Sequence, residues 1–256
     1  MRQAKLSLNV LFLLLLVLTV PRVAVAQIIK VAGEQWAPFS STELPNLGLM
    51  NHLIQEAFAT QGVEVEFGFF PTSRSLELVK AGEWDISGGW TPTDERKSDF
   101  LFSDPIFHET IVFFHRKQLK FSWAEFSDLH RFRIGVTGDL YYGPELERAE
   151  RSGNYRIARV PKDLLNMKKL LHGRIDLFPI TIEAGLEALE KNFTKQQRAQ
   201  IVFHNKPLFE GPLVLLVSKK SKNANNIVLW FNEGLKELKR SGRYQELTRE
   251  LNHANN

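Results

Sequence analysis

Gly88, Gly89, Thr91 and Arg96 stand close together in the chain, and each residue type can grip a small anion. A planar guanidinium makes two parallel charge-assisted bonds to one carboxylate. The alternative for Arg96 is a surface ion pair with Asp94 or Asp99, and spacing alone leaves both open. A glycine pair lets backbone N–H groups come close to a ligand. The Thr91 hydroxyl adds a donor, and a bare turn is the rival use. Further on, Gly138-Asp139-Leu140-Tyr141 lies between a strand-like and a helix-like segment, and a helix N-terminus presents unpaired N–H groups as an anion seat. Trp36 and Phe39 can wall a cleft around an apolar or cationic ligand body, with core packing as the competing use. Arg74 can reach a ligand side chain or stand solvated at a helix start.

Other chemistry finds little support. There is no Ser-His-Asp order, no phosphate loop and no metal-spaced histidine set. His108 and His115, seven apart, lack the close i, i+4 spacing of paired histidine ligands on a helix. Cysteine is absent, which excludes disulfides, thiolate metal sites, a cysteine nucleophile and a lipidated N-terminal cysteine. No metal or cofactor is expected. Lys and Arg are scattered among acids, and the one basic cluster, Lys168-Lys169 with Arg174, reads as a solvated helix face, so no nucleic-acid partner is expected.

Residues 1–26 carry the pattern of a cleavable secretory signal. Arg2 and Lys5 precede an apolar run from Leu6 to Val20, and Ala24-Val25-Ala26 supplies the small residues of a cleavage site. Their removal lowers Lys+Arg from 33 to 30 against 29 Asp+Glu, so the mature chain is close to neutral. A periplasmic protein, not a lipoprotein, is expected. Nothing in the sequence argues against a monomer.

The elements that must position the candidate residues follow from periodicity. Ile28 to Val31 reads as a strand ending at Gly33-Glu34. Gly48 to Thr60 places Leu49, Leu53, Ile54, Ala57 and Phe58 on one helical stripe. Val63 to Phe69 alternates as a half-buried strand does, Ser75 to Ala81 is a short helix, and Asp85 to Ser87 a strand entering Gly88-Gly89. A second cycle has strands at Ile111 to Phe114, Arg133 to Val136, Ile175 to Phe178, Ile201 to Phe203 and Leu213 to Val217. Its helices are Pro144 to Arg151, Asp163 to Leu171, Ile182 to Glu190, Ile227 to Lys239 and Tyr244 to Leu251. This alternation predicts two α/β units with ligand sites beyond the carboxyl ends of their strands.

Several local patterns together resemble the family 3 solute-binding proteins that serve polar amino-acid ABC importers. They run in the expected order: Glu34-Gln35-Trp36-Ala37-Pro38-Phe39, Gly48-Leu49-Met50, Pro71-Thr72-Ser73-Arg74-Ser75-Leu76, then Thr91-Pro92-Thr93-Asp94-Glu95-Arg96 with Phe102-Ser103-Asp104-Pro105. Ser127-Asp128-Leu129, Arg133-Ile134-Gly135-Val136, Gly173-Arg174-Ile175-Asp176 and Leu238-Lys239-Arg240-Ser241-Gly242-Arg243-Tyr244 complete the set. The resemblance implies two Rossmann-like α/β lobes of the type II periplasmic binding fold. Lobe one would be 27–107 with 213–256, lobe two 110–209, and the hinges would lie near 107–109 and 209–212.

It also implies roles. Arg96 would hold a ligand carboxylate, with Gly88, Gly89, Thr91, Glu34, Trp36, Phe39 and Arg74 around it. Gly138, Asp139, Tyr141, Thr181 and Glu183 would face it from lobe two. The family's ammonium-binding aspartate falls here on Thr181, which leaves Glu183 or Asp139 as substitutes. The partners implied are a small carboxylate or amino-acid ligand and a membrane permease. The alternatives on the same fold are a dehydratase for cyclic carboxylic acids, with Glu183 or Asp139 as general acid, and a ligand-binding partner of a membrane sensor.

Overall fold

The computed structural model describes residues 28–138 and 140–254, so the signal-like segment and Asp139 lie outside the described residues. The chain begins with β1 (Ile28–Gly33), α1 (Leu49–Thr60), β2 (Glu64–Phe69), α2 (Thr72–Ala81) and β3 (Ile86–Trp90). β1 pairs in parallel with β2 and β3. This is the expected strand–helix alternation, with helices covering a sheet. Leu53, Ile54, Ala57 and Phe58 of α1 are buried, as their stripe requires. After a 3-10 turn at Glu95–Ser98 comes the short β4 (Phe100–Phe102), paired with the last strand.

The second half contains β5 (Phe107–Arg116), β6 (Arg133–Thr137), α3 (Pro144–Ser152), β7 (Arg156–Val160), α4 (Asp163–Leu171) and β8 (Leu177–Thr181). Then follow α5 (Ile182–Asn192), α6 (Lys195–Arg198), β9 (Ile201–Phe203), β10 (Phe209–Ser218), α7 (Ala224–Ser241) and α8 (Arg243–Ala254). β6 is parallel to both β7 and β8. The path β2-β1-β3-β10-β5-β8-β6-β7 joins the two parallel groups through two antiparallel strands.

β5 and β10 are ten residues each, longer than the Ile111 to Phe114 and Leu213 to Val217 strands read from apolar runs. The extra length is where they cross between lobes. Phe107–Ile111 pairs with Phe209–Leu213, while Val214–Ser218 turns to β3 and β4 and Ile111–Arg116 turns to β8 and β9. Glu109, Thr110, Glu210 and Pro212 interrupt the apolar pattern there, which hides strand from the sequence. Residues 107–109 and 211–213 are therefore hydrogen-bonded ladder, not irregular linker. The core runs through this crossing, from Ile29, Phe58 and Phe231 in lobe one to Phe114, Met167 and Phe178 in lobe two. β7, an edge strand whose Arg156 and Arg159 interrupt its apolar residues, was invisible to apolar periodicity.

Two of the motifs that carry the resemblance turn out to be structural. The Arg133 guanidinium clamps Asp176 with two bonds, Nε to Oδ2 at 2.9 Å and Nη2 to Oδ1 at 2.8 Å, and the Arg133 backbone N–H and Arg116 add one each. Hydrogen bonds from Arg133 hold the Asp176 carboxyl down at about 2. The pair ties β6 to the segment entering β8.

Candidate functional site

The loops after β1 and β3 bring their candidate residues together. Gly89 has φ +82°, a conformation glycine adopts freely. A Cβ there would meet Met50 Sδ at 2.8 Å and Trp36 Cζ3 at 3.1 Å, and one on Gly88 would meet Ile54 Cδ1 at 2.8 Å. The positive φ demands glycine at 89 independently of any ligand, whereas at 88 the neighbours are flexible side-chain ends that can shift. Phe39 is 2% exposed and stacks on Phe107 at 5.1 Å, so it is a core residue supporting Trp36 and not itself a wall of the gap. Trp36 is half-buried and tilts over Phe39 at 4.5 Å. Arg74 is exposed on the first turn of α2.

Arg96 sits in the 3-10 turn and is half-buried. Its Nη1 donates to the Thr91 carbonyl at 2.6 Å, and its guanidinium lies 4.8 Å from the centre of the Trp90 ring. The surface-pair alternative does not hold: Asp94 pairs with Lys97 and Asp99 with Lys80. Arg96 has no ion-pair partner among the described residues. Burial holds its pKa below the ordinary guanidinium value, and carboxylates at Glu95, Glu147, Glu109 and Glu34 pull the other way. Glu147 belongs to α3 of lobe two, so the guanidinium lies within electrostatic reach of both lobes and of β5.

Two buried carboxylates share this neighbourhood. Burial pushes Glu34 up to about 7, opposed by a hydrogen bond with the Thr72 side chain and by Arg96, with Asp163 adding to the rise. Burial likewise pushes Glu109 up to about 7, opposed by Thr91 and Arg96, with Glu183 adding to the rise. The Thr91 hydroxyl donates to Glu109 Oε1 at 3.1 Å. Glu109 is 8% exposed and was not singled out in the sequence. Its only signal there is an acid inside a run that otherwise becomes apolar.

On the lobe-two side, the expected anion seat is corrected. The Gly138 N–H donates to the Val160 carbonyl at 2.8 Å and the Leu140 N–H to the Thr137 carbonyl at 3.3 Å. α3 starts only at Pro144, which has no N–H to offer, so Gly138 is not at a helix N-terminus. Asp139 lies outside the described residues. Tyr141 meets Phe209 edge to face at 5.5 Å, and its hydroxyl is within electrostatic reach of Arg96. Thr181 ends β8 and caps α5; it is 4% exposed, and its Oγ1 has no hydrogen-bond partner among the described residues. Glu183 stands in the first turn of α5, where the helix dipole favours an acid. It also borders a groove of about 770 Å³ between α1, α5 and α8.

Asp163, the first residue of α4, is the second residue that sequence reasoning missed. An acid in a helix's first turn is ordinary, so nothing marked it. Burial pushes its carboxyl up, opposed by a hydrogen bond with the Thr137 side chain. Its Oδ1 is shielded from solvent and has no hydrogen-bond partner among the described residues.

Among known proteins, a probable histidine-binding protein of Neisseria gonorrhoeae is 27% identical over 225 residues, covering 84% of this chain and 79% of that protein. Among solved structures, a histidine kinase sensor domain similar to periplasmic binding proteins superposes with a TM-score of 0.76 at 19% identity, covering 88% of this chain and 96% of the domain. The substrate-binding protein of an amino acid ABC transporter gives 0.71 at 21% identity, with 87% and 98% covered. The two-lobed fold is therefore shared with both. Residues 29–252 match the profile of the bacterial extracellular solute-binding proteins, family 3, and the chain belongs to that family.

Proposed function

We propose that this chain binds a small polar solute carrying a carboxylate, an amino acid or a close derivative, between its lobes and delivers it from the periplasm to the permease of an ABC importer. The observation that carries the reading is Arg96: a half-buried guanidinium, free of ion-pair partners among the described residues, between Thr91 and the lobe-two acid Glu147. Gly89, Gly88 and Trp36 shape the lobe-one side, and Thr181, Glu183 and Tyr141 the lobe-two side. Glu109 is added to the set. In this reading lobe one comprises 27–107 with 213–256, lobe two 110–209, and closure turns on residues 107–109 and 209–212. A short two-stranded crossing absorbs rotation more readily than a broad interface does.

The test is a thermal-shift screen with amino acids, amino-acid derivatives and dicarboxylates. A ligand at 100 times its Kd adds about 2.7 kcal/mol of stability. Arg96→Ala should lose that shift while the ligand-free protein keeps its melting temperature. Normal binding by the variant would overturn the assignment.

The similarity to a sensor domain favours a second reading, in which closure is presented to a membrane sensor. Pull-down of a sensor kinase in place of a permease would select it. A buried carboxyl held near 7 also suits a general acid, so prephenate and arogenate belong in the assay. Turnover of either would make the chain an enzyme.

A further inference from the structure

We infer that the protonated nitrogen of the bound solute is held between Glu34 of lobe one and Asp163 of lobe two, and that binding expels protons from the site. This rests on the carboxylate-binding reading above and says which residues recognise the other end of the same solute.

The residue at the end of β8 is Thr181, a neutral side chain, so a cation has no charged partner at that position. A buried ammonium or guanidinium left unpaired is costly. The charge it needs stands elsewhere. Glu34 leaves the end of β1, and Asp163 opens α4; the two carboxyls, from opposite lobes, lie within electrostatic reach of each other. The described cation that Glu34 senses is Arg96, which the solute's own carboxylate would occupy. Asp163 Oδ1 is shielded from water with no partner, an acceptor already desolvated and awaiting a donor. Thr181 Oγ1, at the end of β8, is likewise unpartnered among the described residues and can take a second N–H.

The remaining charges around the pair are accounted for. On Glu34 the Thr72 side chain acts from α2, Arg96 from the 3-10 turn and Asp163 from α4; on Asp163 the Thr137 side chain acts from β6. Tyr142, buried beside the same network, feels the charges of both Asp163 and Arg159 from β7, and its hydroxyl accepts the Thr137 N–H at 2.9 Å. Glu109, which accepts from the Thr91 hydroxyl, feels the Glu183 charge. Two carboxyls within electrostatic reach and without a cation repel and hold protons; a cation bound by both favours their ionised forms. Its arrival therefore releases protons near neutral pH, where Glu34 is about half protonated.

Calorimetry of the full chain with L-arginine, L-histidine, L-glutamine and glutarate, each in phosphate and in Tris at pH 7, tests this. At least one amino acid should bind with an enthalpy that differs between buffers by the heat of proton transfer, and tighter at pH 8 than at pH 6. Asp163→Asn and Glu34→Gln should each weaken it at least tenfold and shrink the buffer difference. Binding of an amino acid with no proton release and with unchanged affinity in Asp163→Asn overturns this inference and leaves the proposed function standing. So does glutarate binding as tightly as the amino acids. If none of these solutes nor any in the wider screen binds, the proposed function falls, and this inference with it. Proton release by the wild-type protein is read without any variant, so a substitution that fails to fold does not blunt the test.

Discussion

At the scale of single residues, the site sets one guanidinium against several buried acids, and the balance makes pH a handle on stability. Glu34 titrates near 4.5 in an unfolded chain and at about 7 when buried. Between those values the folded protein keeps a proton that the unfolded chain has released. Stability contributed by the protonated carboxyl is thus complete below about pH 4.5 and is lost as pH rises through 7. The difference is on the order of 3 kcal/mol. Glu34→Gln cannot ionise, so in urea titrations of ligand-free protein it should match wild type near pH 5 and exceed it at pH 8 by about 2–3 kcal/mol. Equal stabilities at pH 8 would mean that Glu34 is solvated. Arg96 runs the opposite way on binding. In the proposed site its paired bonds to a carboxylate would be worth roughly 1.5–3 kcal/mol each, so Arg96→Ala should weaken binding by about 100-fold or more. Arg96→Lys keeps the charge and loses the fork, and should recover only part of that affinity in the same titration.

At the scale of elements, what was legible in the sequence is what periodicity governs. α4 was read at its observed bounds from Asp163 to Leu171, and α1 within one residue, because their apolar stripes are unbroken. The crossing strands were read short, since Glu109, Glu210 and Pro212 disrupt the pattern where the site needs polar groups. The acids of the site were half legible for a related reason. Glu34 was carried by a motif, whereas Glu109 and Asp163 owe their environment to tertiary burial that no local pattern encodes. Helix packing supplies a prediction of its own. α1 and α7 approach so closely at Gly234 that a Cβ there would collide with the backbone carbonyl of Ala57 and crowd the Thr60 hydroxyl. A backbone neighbour cannot rotate away. Gly234→Ala should therefore cost about 1–3 kcal/mol in chemical denaturation, although alanine favours helix. A stabilising substitution would show that the two helices can part without loss.

At the scale of the whole molecule, the two lobes share one core through β5 and β10, yet each brings a buried carboxyl, Glu34 or Asp163, within electrostatic reach of the other. On the proposed closure about the crossing ladder, charge across the gap can bias how far the lobes close. With Glu34 and Asp163 both ionised, repulsion in a poorly hydrated gap favours wider separation; with one protonated, that penalty disappears. The pair is shielded, and salt screens buried charges far less than surface ones. Small-angle scattering of ligand-free protein should accordingly give a larger radius of gyration at pH 8 than at pH 5.5, with little change between low and moderate salt. Saturating amino acid should bring the pH 8 value down, because its cation replaces the missing proton. Asp163→Asn should be compact at both pH values without ligand. If the wild-type radius ignores pH while ligand still contracts it, closure is driven by the carboxylate end at Arg96 alone, and the acids across the gap govern affinity without governing shape.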